Sequence, residues 1–347
     1  MVPLVRSIAL KLRLVDKPDK RKQHKNSIVR LGGIAIFLGI YISFLILFSL
    51  GFLKIESNSL FWPIFNFAPL FFLLGFVDDI INLSPFIRLC LQVVISIFLW
   101  LGGIQIHLID FQFFQYFNFS FYLIDQISLI FTILWIVGII NAINWADGLD
   151  GLATGIISIS IIGLIFNSIF LGNYEACIFL LSILGVCLSF LIFNLYPAKI
   201  LMGDGGSYLL GFLASTLSIY SLTPENQLNQ GLTFSSLNIL FLFAIPIFDM
   251  ALVILSRMKS NKSIFLPDRN HIHYRILDSG FSHKETVFLI LSFSQFFVCL
   301  SLIQNFNNYL SFILLISLSI LVILIFNKCD INQMTKLKLS PKKDRFF

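Results

Sequence analysis

An all-α, polytopic membrane bundle of about ten helices is the fold class this sequence predicts. Three observations carry that expectation. Hydrophobic residues make up 57% of the chain, charged residues only 12%, and the mean hydropathy is +0.90; a soluble domain carries about 25% charged residues. Apolar stretches of about twenty residues, the length that crosses a bilayer core, succeed one another along the 347 residues. The basic residues between them fall almost entirely on alternate connections, as membrane orientation requires.

Residues 1–30 hold nine Lys/Arg and read as a basic cytoplasmic segment. Its apolar start, 1–15, is too short to span and is interrupted by Arg6, Lys11 and Arg13, so an interfacial amphipathic helix is expected. No signal-peptide pattern is present. Residues 31–327 form the transmembrane domain, with spans at 33–53, 61–80, 86–104, 126–145, 150–171, 175–195, 205–223, 237–257, 286–304 and 309–327. The loop 258–285 belongs to that domain, and 328–347 is a basic tail. The long aromatic connection 105–125 reads as an interfacial hairpin. With residues 1–30 placed in the cytoplasm, 23 of the 24 Lys/Arg lie on that side and only Lys54 lies outside. The net charge of +6 is therefore a topology signal, and no nucleic-acid partner is expected. The five cysteines are scattered without a CxxC pair, which supports neither a zinc site nor a disulfide framework.

The same alternation brings four polar clusters to the cytoplasmic face. An acid within a helix costs roughly 2.5–3.5 kcal/mol at the bilayer centre, so each needs a reason. Asp78-Asp79 closes the second span, and Arg88 and Gln92 follow at the start of the third. Adjacent carboxylates disfavour each other's ionisation unless a cation intervenes. Asn141, Asn144, Asp147 and Asp150 recur every three residues and make a slowly rotating polar stripe. Gly148 and Gly151 loosen the backbone where that helix must end. Such a stripe holds a hard cation through oxygens, or a base and ribose through hydrogen bonds. Gly203-Asp204-Gly-Gly-Ser207 opens a helix after Pro197, offering backbone N–H groups to an anion and a carboxylate to a metal. Helix N-capping by Asp204 is compatible with either use. In the basic loop, Asp268-Arg269-Asn270-His271-Ile272-His273 fits phosphate contact better than zinc, since no further His/Cys ligands lie nearby. The two histidines would point the same way in extended backbone and about 200° apart on a helix. Arg21-Lys22-Gln23-His24-Lys25 serves equally as an orientation signal touching anionic lipid and as a phosphate contact. Asp150-Gly-Leu-Ala153 starts like a CDP-alcohol phosphotransferase signature, but Thr154 stands where Arg is needed and the later acids are missing. A secondary transporter would place its acids near the midplane in broken helices, whereas these gather at one face.

Taken together the motifs resemble those of the polyprenyl-phosphate N-acetylhexosamine-1-phosphate transferases over roughly residues 12–285. The resemblance rests on Val15-Asp-Lys-Pro18 with Arg21-Lys22-Gln-His24, Arg30-Leu-Gly32-Gly33, Gly75-Phe-Val-Asp78-Asp79, Asn141 to Ala153, Pro197 to Ser207, Pro246-Ile-Phe-Asp249 and Pro267 to His273. It implies a Mg²⁺-dependent enzyme (Mn²⁺ as a substitute) of the cell membrane with a cytoplasmic active site. Such an enzyme moves a sugar-1-phosphate, here GlcNAc-1-phosphate, from a UDP-N-acetylhexosamine to a polyprenyl phosphate and releases UMP. By position, Asn144 and Asp204 would hold the metal and diphosphate. Asp78 and Asp79 would flank the lipid phosphate, one as a base. Gly148, Leu149 and Asp150 would meet the uracil, with Asn194 near the nucleoside and Asn141 and Asp147 on the same polar stripe. Arg269, His271 and His273 would hold the sugar-phosphate end, and Lys22 and His24 would lie near the phosphates; Arg88, by its own place at the same face, is a further candidate to hold a phosphate. The His271-Ile-His273 pattern favours UDP-GlcNAc over the UDP-MurNAc-pentapeptide of the peptidoglycan branch, whose members have a denser His run. Two departures stand out. Only about fourteen residues precede Val15, so a helix that usually opens the family is expected to be missing or short. Leu201 occupies a position that is Phe in many relatives. The oligomeric state stays open, a homodimer included.

Overall fold

The computed structural model describes residues 1–11, 28–52, 59–106, 121–221, 237–263 and 269–304, and among them the chain forms twelve helices and no named strand. They are α1 (Val2–Lys11), α2 (Gly32–Ser49), α3 (Phe61–Ile81), α4 (Pro85–Leu101), α5 (Phe121–Ala146), α6 (Leu152–Leu171), α7 (Tyr174–Asn194), α8 (Gly203–Tyr220), α9 (Leu237–Leu242), α10 (Ala244–Lys259), α11 (Ile272–Asp278) and α12 (His283–Gln304). Six helices, namely α2, α3, α5, α6, α7 and α12, are long and apolar enough to cross a membrane. Of the ten expected spans, nine coincide with described helices, and the tenth, 309–327, lies outside the described residues, as does most of the 105–125 connection. The third span, α4, has 17 residues. The eighth is broken at Phe243 into α9 and α10.

Proline marks both the break in the eighth span and a carbonyl rescued inside the unbroken α3. Proline lacks an N–H and cannot bond the carbonyl four residues back. Pro246 thus leaves the Leu242 carbonyl unmatched, and Ser160 Oγ of α6 donates to it at 2.6 Å. Inside α3, Pro69 releases the Phe65 carbonyl, and the Tyr41 hydroxyl of α2 donates to it at 2.6 Å. In hydrocarbon an unmatched carbonyl costs several kcal/mol, so a neighbouring hydroxyl is what makes each proline tolerable.

The bundle is built around α8, which packs against α2, α3, α5, α6 and α7. Every residue of this helix except Asp204 is buried. Small residues let its neighbours come close, as in membrane helix pairs generally. A Cβ on Gly75 of α3 would lie 2.2 Å from the Asp204 carbonyl oxygen, and one on Gly33 of α2 would lie 2.5 Å from the Gly206 nitrogen. Trp135 of α5 ties the far half, donating from Nε1 to Ser218 Oγ at 3.0 Å and to the Ser215 carbonyl at 3.2 Å. At the other end from Asp204, Asn173 caps α7 by accepting from Ala176 N and donates to the Tyr220 carbonyl at 2.8 Å.

The α1 helix buries Val2, Val5 and Ala9, a single stripe, against α2, and Arg6 Nε donates to the Lys199 carbonyl at 3.0 Å. This is the amphipathic form expected of the first residues. Just before α2 the chain runs beside the 199–202 loop: Val29 and Ile200 form a parallel bridge, Leu201 N bonds the Val29 carbonyl, and Gly32 N bonds that of Leu201. That short pairing carries Arg30 to the mouth of the bundle.

Candidate active site

The last turn of α3, the last turn of α5 and the first turn of α8 meet at one end of the bundle. They bring together Asp79, Asn144 and Asp204, joined by Arg30. Arg30 Nε lies 3.1 Å from Asp79 Oδ1 and its Nη2 3.1 Å from Asp204 Oδ1. Asn144 Nδ2 donates to Asp204 Oδ1 at 2.9 Å and to Ser207 Oγ at 3.0 Å. Asp79 is nearly closed off, with its side chain 6% exposed, whereas Asp204 is 20% exposed and Arg30 37%. The open side of the cluster is therefore the Asp204–Arg30 side.

One expectation is corrected here. The N–H groups of Asp204 and Gly205 at the start of α8 are already taken and not open to an anion, and Asp204 does not cap its own helix. Asp79 of α3 does that work: its Oδ1 accepts from Asp204 N and its Oδ2 from Gly205 N, both at 3.0 Å. A carboxylate at a helix N-terminus satisfies orphan donors and faces the positive end of the dipole. The two adjacent acids also have separate cations. Asp78 is buried and pairs with Arg88 Nη1 at 2.5 Å, while its Oδ1 accepts from Leu83 N at 2.8 Å. Arg88 also donates to the Tyr208 hydroxyl at 3.3 Å. Asp78 thus faces α4 and Asp79 faces α8, since side chains one residue apart project about 100° apart on a helix.

The polar stripe divides for the same geometric reason: each three-residue step turns it by about 60°. Asn141 points to α4, where its Nδ2 donates to Gln92 Oε1 at 2.6 Å and to the Val137 carbonyl. Asn144 alone bonds Asp204. Asp147 follows in the turn after α5; burial, then Asp204, Asp79 and Asp150, holds its carboxyl well above the usual carboxylate range. Leu149 is buried, and Asp150 is turned under the 195–202 loop, its Oδ2 accepting from Ala198 N at 2.9 Å. Asn194 ties that loop to the start of α6: Oδ1 accepts from Gly151 N and Thr154 Oγ1, and Nδ2 donates to the Ile200 carbonyl.

The histidine pair lies beside the end of α5. His271, in extended backbone, directly precedes α11, and His273 sits inside it. This mixed geometry, neither strand nor helix throughout, brings the rings parallel with centroids 5.4 Å apart. His273 is buried against Gly148, where a Cβ would lie 2.2 Å from its Nε2. Burial pulls its pKa down to about 4, against the opposing field of Asp249. Arg269 is exposed, 3.4 Å from Asp278 and stacked over Tyr274. Lys22, His24 and Asp268 lie outside the described residues.

Arg30, Ser207 and Asp249 make contacts for which sequence reasoning assigned no individual role. Arg30 was visible only as part of a basic motif. The signal for Asp249 was an acid inside the eighth apolar span, which needs a reason as much as Asp78 does.

Fold and site together define a helical membrane protein with an arginine-neutralised carboxylate cluster at one end of its bundle. A family model described as glycosyl transferase family 4 matches residues 61–222. A probable undecaprenyl-phosphate N-acetylglucosaminyl 1-phosphate transferase of Bacillus subtilis (strain 168) is 33% identical over 293 residues, which cover 84% of this chain and 77% of that protein. An undecaprenyl-phosphate alpha-N-acetylglucosaminyl 1-phosphate transferase of Pasteurella multocida (strain Pm70) is 33% identical over 84% of this chain and 78% of its own length. The Salmonella typhi protein of the same name is 27% identical over 94% and 86%. The chain belongs to this family of polyprenyl-phosphate N-acetylhexosamine-1-phosphate transferases.

Proposed function

We propose that this protein transfers GlcNAc-1-phosphate from UDP-GlcNAc to undecaprenyl or another polyprenyl phosphate, releasing UMP at the cytoplasmic face of the cell membrane. The observation that carries the reading is the convergence of Arg30, Asp79, Asn144 and Asp204 from four separate parts of the chain, in a protein whose relatives bear that activity in their names. A lipid phosphate is already an anionic nucleophile, so the enzyme must mainly position two anions and lower their repulsion. Arg30 stands at the open side with the charge to receive a phosphate. Asp79 fixes the α8 N-terminus and thereby the carboxylate of Asp204.

Among the described residues no group of three His, Cys, Asp or Glu forms a ready-made metal cage. Mg²⁺ prefers one or two protein oxygens with water and phosphate completing its shell. Asp204, with Asn144 turned to present Oδ1, fits that mode, and Mn²⁺ would fit equally. Bound there, the ion would neutralise the diphosphate and the departing UMP.

The test is UMP release by purified, lipid-reconstituted protein given undecaprenyl phosphate and Mg²⁺, with UDP-GlcNAc and UDP-MurNAc-pentapeptide in parallel. UMP from UDP-GlcNAc alone is the expected result. UMP from the pentapeptide donor alone would move the protein to the peptidoglycan branch, and UMP from neither would overturn this donor assignment.

A further inference from the structure

Asp249 is the buried acid of α10, and the reaction proposed above gives it no part. A carboxylate in an apolar helix is costly unless fully bonded. Its two oxygens go to one short stretch of chain: Oδ2 lies 2.9 Å from His271 Nδ1, and Oδ1 accepts from Ile272 N at 2.7 Å. One bond fixes the backbone where α11 begins and the other fixes the ring just before it. The ring is held from its other sides as well. Trp145, the residue after Asn144, presents to it at 77° with centroids 5.7 Å apart. Arg257, about two turns beyond Asp249 on α10, stacks 5.0 Å over Trp145, and His273 lies parallel against one face of the His271 ring.

We propose that Asp249 is the positioning residue for His271, holding its imidazole with the proton on Nδ1 so that Nε2 is the nitrogen offered to the substrate. The inference rests on the transferase reading for the identity of that substrate, and on geometry alone for the tautomer. An ionised carboxylate only accepts hydrogen bonds, so the nitrogen facing it must carry the proton. In the neutral ring Nε2 is then left with its lone pair. The Trp145 contact links this ring to the helix that delivers Asn144 to Asp204, so the two halves of the site share α5.

Asp249→Asn tests this without removing shape. Its Oδ1 can still accept from Ile272 N, while its Nδ2 donates to Nδ1 and drives the ring proton to Nε2. Histidine-selective ¹⁵N NMR of the full chain in detergent micelles, with His271→Gln supplying the assignment, reads the tautomer directly. The expected result is an Nδ1–H signal for His271 in the wild type and an Nε2–H signal in Asp249→Asn. An unchanged tautomer would overturn the proposal. In the UMP assay, Asp249→Asn and His271→Gln should each lose about ten- to a hundredfold in kcat/KM, mainly through a raised KM for the UDP-sugar, with the melting temperature retained. The double variant should be no worse than His271→Gln. Losses that multiply would mean that Asp249 acts independently of His271, and would also overturn it. Because NMR needs no substrate, a wild type that releases no UMP would sink the transferase reading while leaving the Asp249–His271 assignment to be decided by the spectra.

Discussion

The carboxylate cluster and the histidine clamp are two acid-containing sites less than a helix turn apart along α5, yet they are held in opposite ways. The cluster is set by helix crossings. Asp79 reaches the first N–H groups of α8 because Gly75 lets α3 approach that backbone closely, and Gly33 does the same for α2. The clamp is set by side chains: the seven-residue α11 is docked through Asp249, Trp145 and the Gly148 surface. Charge differs too. The cluster sets three acids against Arg30 and Arg88, whereas the clamp sets one acid against an imidazole. A site built on buried crossings is stiff and keeps its geometry when one side chain is trimmed. A site built on a docked short helix moves as a unit when one contact fails. Chemistry that needs fixed charges suits the first, and recognition of a donor suits the second.

The sharpest way to break the comparison is at Asp204. Asp204→Ala should cost about 10³-fold or more in UMP release at saturating Mg²⁺, with the thermal midpoint nearly unchanged because this side chain caps nothing. Retained turnover would remove Asp204 from the metal assignment. Asp78→Asn and Asp79→Asn should each lose most of their activity, on the order of 10²-fold, but with different stability signatures. Asp78→Asn leaves Arg88 without its buried partner and should lower the melting temperature more, a cost of about 3–5 kcal/mol. Asp79→Asn should cost about 1–2 kcal/mol as a weakened cap. A reversal of that order would mean that the two acids have been assigned to the wrong helices.

Gly148→Ala probes the clamp. The added methyl would collide with His273, so α11 must shift; overpacking of this kind costs about 1–3 kcal/mol. The expected kinetic result is a KM for the UDP-sugar raised roughly tenfold, equivalent to about 1.4 kcal/mol, with kcat less affected. A fall in kcat alone would place the clamp in the chemical step.

A pH dependence of stability leaves turnover at neutral pH untouched. With the folded-state pKa of His273 at about 4 and an unfolded value near 6.5, the folded protein binds fewer protons than the unfolded chain between those limits. The stabilisation from a neutral buried ring is therefore present above about pH 6.5 and lost as pH falls through about 4. That loss is up to about 3 kcal/mol. His273→Asn should flatten the melting-temperature profile over this window, and a slope as steep as the wild type's would remove His273 as its source.

Hydropathy and charge made the helical membrane fold, the order of the spans and the location of the acids at span ends legible from residues alone, since each depends on a window of neighbouring residues. The same local measure ranks α8 poorly: its Gly, Ser and Thr residues keep it out of the six strongly apolar helices although it is the most enclosed. Burial there is against protein, which rewards small residues, and not against lipid, which rewards large apolar ones. What only the tertiary structure decided was partnership. Asp79 rather than Asp204 caps α8, Arg30 arrives on a strand-like pairing with the 199–202 loop, Asn144 alone of its stripe meets Asp204, and Asp249 takes His271. Each of these joins residues tens to more than a hundred positions apart, or selects among equally polar neighbours. The selection follows from helix rotation and the distance of closest approach, quantities that no stretch of sequence contains by itself.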